Sequence, residues 1–275
     1  MNEPQRPIAI DLFAGAGGLS LGLEQAGFDV VAAVEHDPVH AAVHELNFPL
    51  TRVICDDVRN LSRLPEDELR DRLGVGDREI DLIAGGPPCQ GFSSIGHRVL
   101  DDPRNRLVFD FLTIVACLQP RTFVMENVPG MATGKHNQLL DELKDRFREI
   151  GYRLREPVQV LNAAQYGVPQ NRRRLFLLGA RANVPLPAYP EPGFALLKPG
   201  QDRVLAGKAG PTVWDAIGDL PDIEAFPELF DTDRLRLAAP LDDGAAYARR
   251  LRGDEPDPDD YSYRRAHDPA ALTGL

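Results

Sequence analysis

Short apolar runs alternate with amphipathic stretches along the first 180 residues. Pro7–Phe13 (PIAIDLF) has the pattern of a buried strand and leads into Ala14-Gly15-Ala16-Gly17-Gly18. Leu19 to Ala26 then reads as a helix, with Leu19, Leu23 and Ala26 on one face and Gly27 as its stop. Asp29–Val34 predicts a second strand, His40–Asn47 a short helix and Thr51–Ile54 a third strand. Leu61–Gly76 reads as a polar, helix-like connection to a fourth strand at Ile80–Ala84. Arg106–Leu118 carries Leu107, Phe111, Val115 and Leu118 at helical spacing, and Asn137–Ile150 carries Leu139, Leu143 and Phe147. Arg121–Met125, Tyr152–Leu161 and Arg174–Gly179 complete the strands. Such alternation predicts an α/β fold with a doubly wound, mostly parallel sheet of Rossmann-like type.

Beyond Gly179 the pattern dissolves. Ala182–Gly200 holds five prolines, Pro211–Pro221 reads as a short helix with stops, and Ile223–Leu275 is acidic and polar. The expected organisation is one domain over residues 1–181, then a Pro-rich connection and an acidic region over 182–275.

Ligands of doubly wound sheets bind beyond the carboxyl ends of the strands, and the chemically distinctive residues cluster at those ends. The glycine turn after the first strand lets a ligand approach the backbone and opens a helix N-terminus. With Ser20 where a third glycine belongs, it is not a full dinucleotide fingerprint. Glu35 ends the second strand about 20 residues after that turn, where a carboxylate binds ribose hydroxyls; it is equally placed to cap a helix. His36 suits stacking on an adenine or simple exposure. The third strand ends at Asp56-Asp57, either of which could accept an adenine amino group or cap a helix. The fourth strand runs into Gly85-Gly86-Pro87-Pro88-Cys89-Gln90-Gly91-Phe92-Ser93. Two prolines end the ladder and deliver Cys89 into a loop. A thiol there serves as a nucleophile if its proton is removed. The polar stretch Ser94–Asn105, with Arg98, reads as an active-site loop. Glu126-Asn127 ends the fifth strand, and Arg172, Arg173 and Arg174 lead into a buried strand, which is costly unless they meet an acidic partner or a ligand.

Composition narrows these possibilities. A chain of 275 residues with 43% hydrophobic residues holds one large or two small domains with a sizeable core. The three cysteines, Cys55, Cys89 and Cys117, fit neither a disulfide framework nor a zinc site. The N-terminus lacks a signal core and no run approaches membrane-spanning length, so a cytoplasmic protein without a membrane contact is expected. The net charge of −11 argues against a nucleic-acid partner until its distribution is considered. Residues 201–275 carry 16 acidic against 9 basic residues, which leaves only −4 on the first 200, where the arginines are locally clustered.

Taken in order, these residues resemble the DNA (cytosine-5)-methyltransferase family of bacterial type, over roughly residues 7–181. Asp11-Leu12-Phe13-Ala14-Gly15-x-Gly17-Gly18 is similar to its cofactor motif, Pro87-Pro88-Cys89-Gln90 to its nucleophile motif, Glu126-Asn127-Val128 to its acid motif, and Gln170-x-Arg172-x-Arg174 to its arginine motif. The resemblance implies a Rossmann-like S-adenosylmethionine-dependent methyltransferase fold acting on double-stranded DNA. It implies Cys89, Glu126, Arg172 and Arg174 as catalytic residues. Cofactor contacts would come from Phe13, Gly15, Gly17, Gly18, Leu19, Glu35, His36, Asp57, Val58 and Pro88, and substrate contacts from Gln90, Ser93, Arg98 and Asn127. No metal is implied.

The family pattern continues past the arginine motif through a target-recognition region to a segment that completes the cofactor pocket, and no such segment occurs before Leu275. A second polypeptide that supplies it, or an incomplete chain without turnover, is therefore an alternative expectation. The same chemistry on tRNA is a further one, and the Gly91-Phe92-Ser93 continuation favours DNA. A nicotinamide dehydrogenase shares the glycine turn and Glu35 but gives no reason for Pro-Pro-Cys-Gln with Glu-Asn-Val.

Overall fold

A computed structural model describes residues 6–88, 106–133, 137–196, 208–230, 234–236, 246–252 and 262–264. By its internal contacts the chain divides into two units, one of residues 1–161 and 173–189, the other of 162–172 and 190–275.

The first unit is built on one sheet. Its strands are β1 (Ile8–Leu12), β2 (Asp29–Glu35), β3 (Arg52–Cys55), β4 (Leu82–Gly85), β5 (Thr122–Asn127), β6 (Tyr152–Leu154), β7 (Gln159–Asn162) and β8 (Arg173–Arg181). The order is β3-β2-β1-β4-β5-β8-β6, with β7 paired to β8. The pairs β2–β3, β1–β2, β1–β4 and β4–β5 are parallel. Strand β8 instead runs antiparallel to both β5 and β6. The sheet is thus mixed and mostly parallel, as expected for the α/β class. The reversal of β8 matters for the site, because it brings the start of β8 to the edge where β5 ends. The Tyr152–Leu161 strand is broken into β6 and β7 around Pro157, which has no N–H to give to a ladder.

The helices are α1 (Gly18–Gln25), α2 (Pro38–Asn47), α3 (Val58–Leu61), α4 (Glu66–Leu73), α5 (Arg106–Leu118) and α6 (Asn137–Glu149). Each start or stop has a local cause. Asp37 caps α2 by accepting from the N–H of Val39 and His40, and Pro38 follows at the first helical position. Asp57 caps α3. Gly74, with φ +68°, ends α4 in the left-handed region. In the polar connection expected over Leu61–Gly76, Leu61 closes α3 and Glu66–Leu73 form α4, and Leu61, Leu69 and Leu73 bury its apolar side.

Helices α5 and α6 cover one face of the sheet. Val108, Phe111, Ile114, Val115 and Leu118 pack with Leu139, Leu143 and Phe147 against Ile10, Leu12, Ile83, Met125 and Leu177. Phe123 stacks on Phe147 with centroids 4.1 Å apart, and Phe111 meets Phe123 edge-on at 6.2 Å. Cys117 packs against this core, and burial pushes its thiol pKa up. A smaller cluster of Ala9, Leu23, Val30, Leu82 and Ala84 lies on the face that takes Leu23 of α1.

The second unit holds α7 (Val213–Ile217), α8 (Ala246–Arg252) and the antiparallel strands β9 (Arg234–Arg236) and β10 (Ser262–Arg264). Thr212 and Asp215 form a reciprocal capping box at the start of α7. Phe194 is packed beside Gly167 and Gly210, and Lys208 lies 5.0 Å from its ring centroid.

Candidate active site

The carboxyl edge of β1, β2 and β3 carries a cleft of about 180 Å³ lined by Phe13, Val34, Glu35, His36, Asp57, Val58, Arg59, Pro88 and Leu107. Six of these residues belong to the cofactor set expected from sequence. The glycine turn beside it is an unusual piece of backbone. Phe13, Gly15 and Gly17 have φ of +62°, +54° and +101°, all left-handed. Gly17 is the N-cap of α1 and, having no side chain, leaves the first amides of the helix without a side-chain cap of its own. A Cβ on Gly17 would stand 2.1 Å from Cε2 of Phe48.

Glu35 is almost wholly buried, and both of its oxygens are in use. Oε2 accepts the N–H of Gly15 at 2.9 Å, and Oε1 accepts the N–H of Asp37 at 2.9 Å and pairs with Nδ1 of His36 at 3.0 Å. The carboxylate therefore organises the turn as well as facing the cleft. His36 is largely exposed. Asp57 accepts from Nε of Arg59 on both oxygens at 3.0 Å, and this Arg59 contact, ahead of all other influences, holds its carboxyl below the usual range. Arg59 and Leu107 are cleft residues that the sequence reading missed. Arg59 had no signal beyond its place two residues after Asp57; Leu107 was assigned wholly to a core-facing helix stripe.

Asp11, within the glycine motif yet not singled out from sequence, is the most perturbed group of the region. It is fully buried on β1, Oδ2 accepts from Oγ of Ser20 at 2.7 Å, and Oδ1 has no partner. Burial raises its pKa to about 7, against the lowering effect of Ser20. Ser20 occupies the place of the absent third glycine and is itself buried.

The chemistry of the lining fits a nucleoside with ribose hydroxyls and an amino group to donate. Apolar walls come from Phe13, Val58, Pro88 and Leu107, and carboxylates from Glu35 and Asp57. A cationic methyl donor would meet the Glu35 and Asp57 carboxylates there.

The second half of the edge lies at β4, β5 and β8. Register pairs Glu126 with Phe176 and Asn127 with Leu175, so Arg174 falls next to the end of β5. Nε of Arg174 is 2.8 Å from Oε1 of Glu126, and both side chains are about one quarter exposed. Oε2 of Glu126 points towards Gly86, where a Cβ would come within 3.3 Å of it. Asn127 is buried; Nδ2 donates to the carbonyl of Pro87 at 3.2 Å, and Oδ1 accepts the N–H of Val128 at 2.8 Å. Expected to touch substrate, its amide here fastens the Gly-Pro-Pro segment to the end of β5. Arg172 is exposed and belongs to the second unit. Leu19 is half-buried on α1 against the small core cluster. Cys89, Gln90, Ser93, Arg98 and the rest of the expected Ser94–Asn105 loop lie outside the described residues. Among the described residues there is no group of three or more His, Cys, Asp or Glu that could hold a metal, and no helix is long and apolar enough to cross a membrane.

The sheet thus carries a glycine turn after β1, acidic residues at the ends of β2 and β3 and a paired Glu–Arg at the end of β5. Comparison with known proteins fixes the family. Residues 8–235 match the model of the C-5 cytosine-specific DNA methylases, and the chain belongs to that family. It is 52% identical over 269 residues to the Type II methyltransferase M.XorII of Xanthomonas oryzae pv. oryzae, an alignment that covers 98% of this chain and 59% of that protein. It is 39% identical over 222 residues to the Type II methyltransferase M.AquIA of Picosynechococcus sp., covering 77% of this chain and 88% of the relative. A solved structure of a prophage-encoded DNA modification methyltransferase from E. coli superposes with a TM-score of 0.63 at 35% identity, over 79% of this chain and 56% of that one. The chain spans about half to three-fifths of the length of M.XorII, M1.HphI and M.DdeI. The family's methyl donor is S-adenosylmethionine.

Proposed function

We propose that this chain transfers the methyl group of S-adenosylmethionine to C5 of cytosine in double-stranded DNA. The observation that carries the proposal is the Glu126–Arg174 pair, 2.8 Å apart at the same sheet edge as the cofactor cleft, beside the Gly-Pro-Pro segment that precedes Cys89. Bound in the cleft, the cofactor supplies an electrophilic methyl on a sulfonium.

Cytosine C5 is a poor nucleophile. The Cys89 thiolate adds to C6 and makes the ring enamine-like, so that C5 can take the methyl. Glu126 holds N3 and the exocyclic amine, and its proton or hydrogen bond meets the charge that develops there. Arg174 fixes the Glu126 carboxylate and reaches the base at O2, with Arg172 as its companion. Water then takes the C5 proton, the C–H electron pair re-forms the C5–C6 double bond, and Cys89 leaves C6 as the thiolate. The base must leave the duplex for this chemistry, and Gln90, Ser93 and Arg98 flank the nucleophile as its substrate contacts. Phe13, Gly15, Gly17, Gly18, Leu19, Glu35, His36, Asp57, Val58 and Pro88 form the cofactor side in this reading. Residues 182–275 form a Pro-rich connection and the beginning of the target-recognition region in this reading.

The test is transfer of labelled methyl to unmethylated mixed-sequence DNA, with tRNA alongside. Label at cytosine C5 of DNA is expected. Label confined to tRNA would overturn the DNA reading.

A further inference from the structure

Helix α2 meets the glycine turn residue by residue. His44, Asn47 and Phe48 share one helical face at i, i+3 and i+4. Nδ1 of His44 lies 3.2 Å from the carbonyl of Gly15, and Nδ2 of Asn47 donates to the carbonyl of Ala16 at 3.0 Å. The ring of Phe48 lies against Gly17 with no room for a Cβ. A carbonyl only accepts, so Nδ1 of His44 carries the proton. The imidazole is neutral, in keeping with its full burial, which lowers its pKa.

The other end of α2 is tied to the same turn. Glu35 takes the N–H of Gly15 on one oxygen and the N–H of Asp37 on the other, and Asp37 caps α2. Backbone in the left-handed region at Phe13, Gly15 and Gly17 persists only when its surroundings over-determine it. These contacts do so from both sides of the turn.

We propose that α2 is the positioning element of the cofactor turn, and that His44 and Asn47 act through Gly15 and Ala16 to set cofactor affinity without touching the cofactor. The inference rests on the reading of this edge as the S-adenosylmethionine site.

Three substitutions test it. Asn47→Asp keeps the shape and removes the donor. His44→Ala removes the other donor, and His44→Asn restores an amide N–H at the position of Nδ1. Hydrogen exchange of the Ala14–Leu19 amides is read in the ligand-free protein, and the Kd for S-adenosylmethionine by calorimetry. Loss of either single hydrogen bond should speed exchange locally and weaken binding by about three- to tenfold, with His44→Asn close to the parent. Unchanged exchange in Asn47→Asp overturns the proposal, and so does faster exchange over the whole sheet with an unchanged Kd. A parent protein that binds no S-adenosylmethionine overturns the cofactor reading instead, and the exchange data still decide the role of α2.

Discussion

Asp11→Asn should flatten the pH dependence of stability between about pH 4 and pH 7. Asp11 is fully buried with one unpartnered oxygen, and burial raises its pKa from 3.8 to about 7. The folded protein therefore keeps a proton on this carboxyl that the unfolded chain releases near pH 4. The stability contributed by that proton is complete below pH 4, falls as pH rises towards 7, and is gone above it. At about 1.4 kcal/mol per pH unit, the loss amounts to roughly 4 kcal/mol. Asparagine does not titrate and still accepts from Ser20, so the variant escapes this slope. Its buried NH2 lacks an acceptor, which costs about 1–3 kcal/mol at every pH and leaves the slope untouched. Urea denaturation followed by circular dichroism at half-unit steps from pH 4.5 to 8 supplies both curves. Their difference cancels every other titrating group. The variant should gain on the parent steadily as pH rises to 7 and hold a constant difference beyond it. Parallel curves across the range would refute the raised pKa and its origin in burial.

Other expectations follow from single contacts. Glu126→Gln keeps the size of the side chain but cannot carry the proton or the charge paired with Arg174, so methyl transfer should fall by about 10²- to 10⁴-fold while S-adenosylmethionine binding holds; a comparable fall in binding would contradict the separation of the two sites. Gly17→Ala places a Cβ into Phe48 at a φ of +101° and should cost about 2–4 kcal/mol in denaturant unfolding; a loss below 0.5 kcal/mol would show that the turn relaxes freely. Glu35→Ala leaves the N–H groups of Gly15 and Asp37 without acceptors and should weaken cofactor binding at least tenfold by calorimetry; unchanged affinity would remove Glu35 from the site.

Much of the fold is legible in the chain because apolar runs and glycine or proline stops coincide at each parallel strand. The direction of β8 is not. An apolar run such as Arg174–Gly179 has the same composition in either orientation, and nothing local reveals which neighbour it joins. Read as a parallel strand, it would carry its arginines to the far edge of the sheet; only the antiparallel register brings Arg174 to Glu126. The cofactor side shows the same limit. Glycines and strand-end carboxylates are visible as residue types at known spacing. That Glu35 is shared between Gly15 and Asp37, that Arg59 occupies Asp57, and that Asp11 is an orphaned acid are consequences of tertiary contact. His44, Asn47 and Phe48 sit at ordinary core spacing, and the backbone carbonyls they meet leave no trace in sequence. Asn127 looked like a substrate ligand because it follows Glu126, whereas its alternate position on β5 turns it inward to Pro87.

The most direct test of the whole account is Cys89→Ser. The substitution removes a thiolate and leaves the cofactor cleft, the Glu126–Arg174 pair and the fold as they are. Labelled methyl transfer to cytosine C5 should disappear, while calorimetry gives a Kd for S-adenosylmethionine within about twofold of the parent. Methyl transfer at the parental rate by Cys89→Ser would contradict covalent catalysis at this edge.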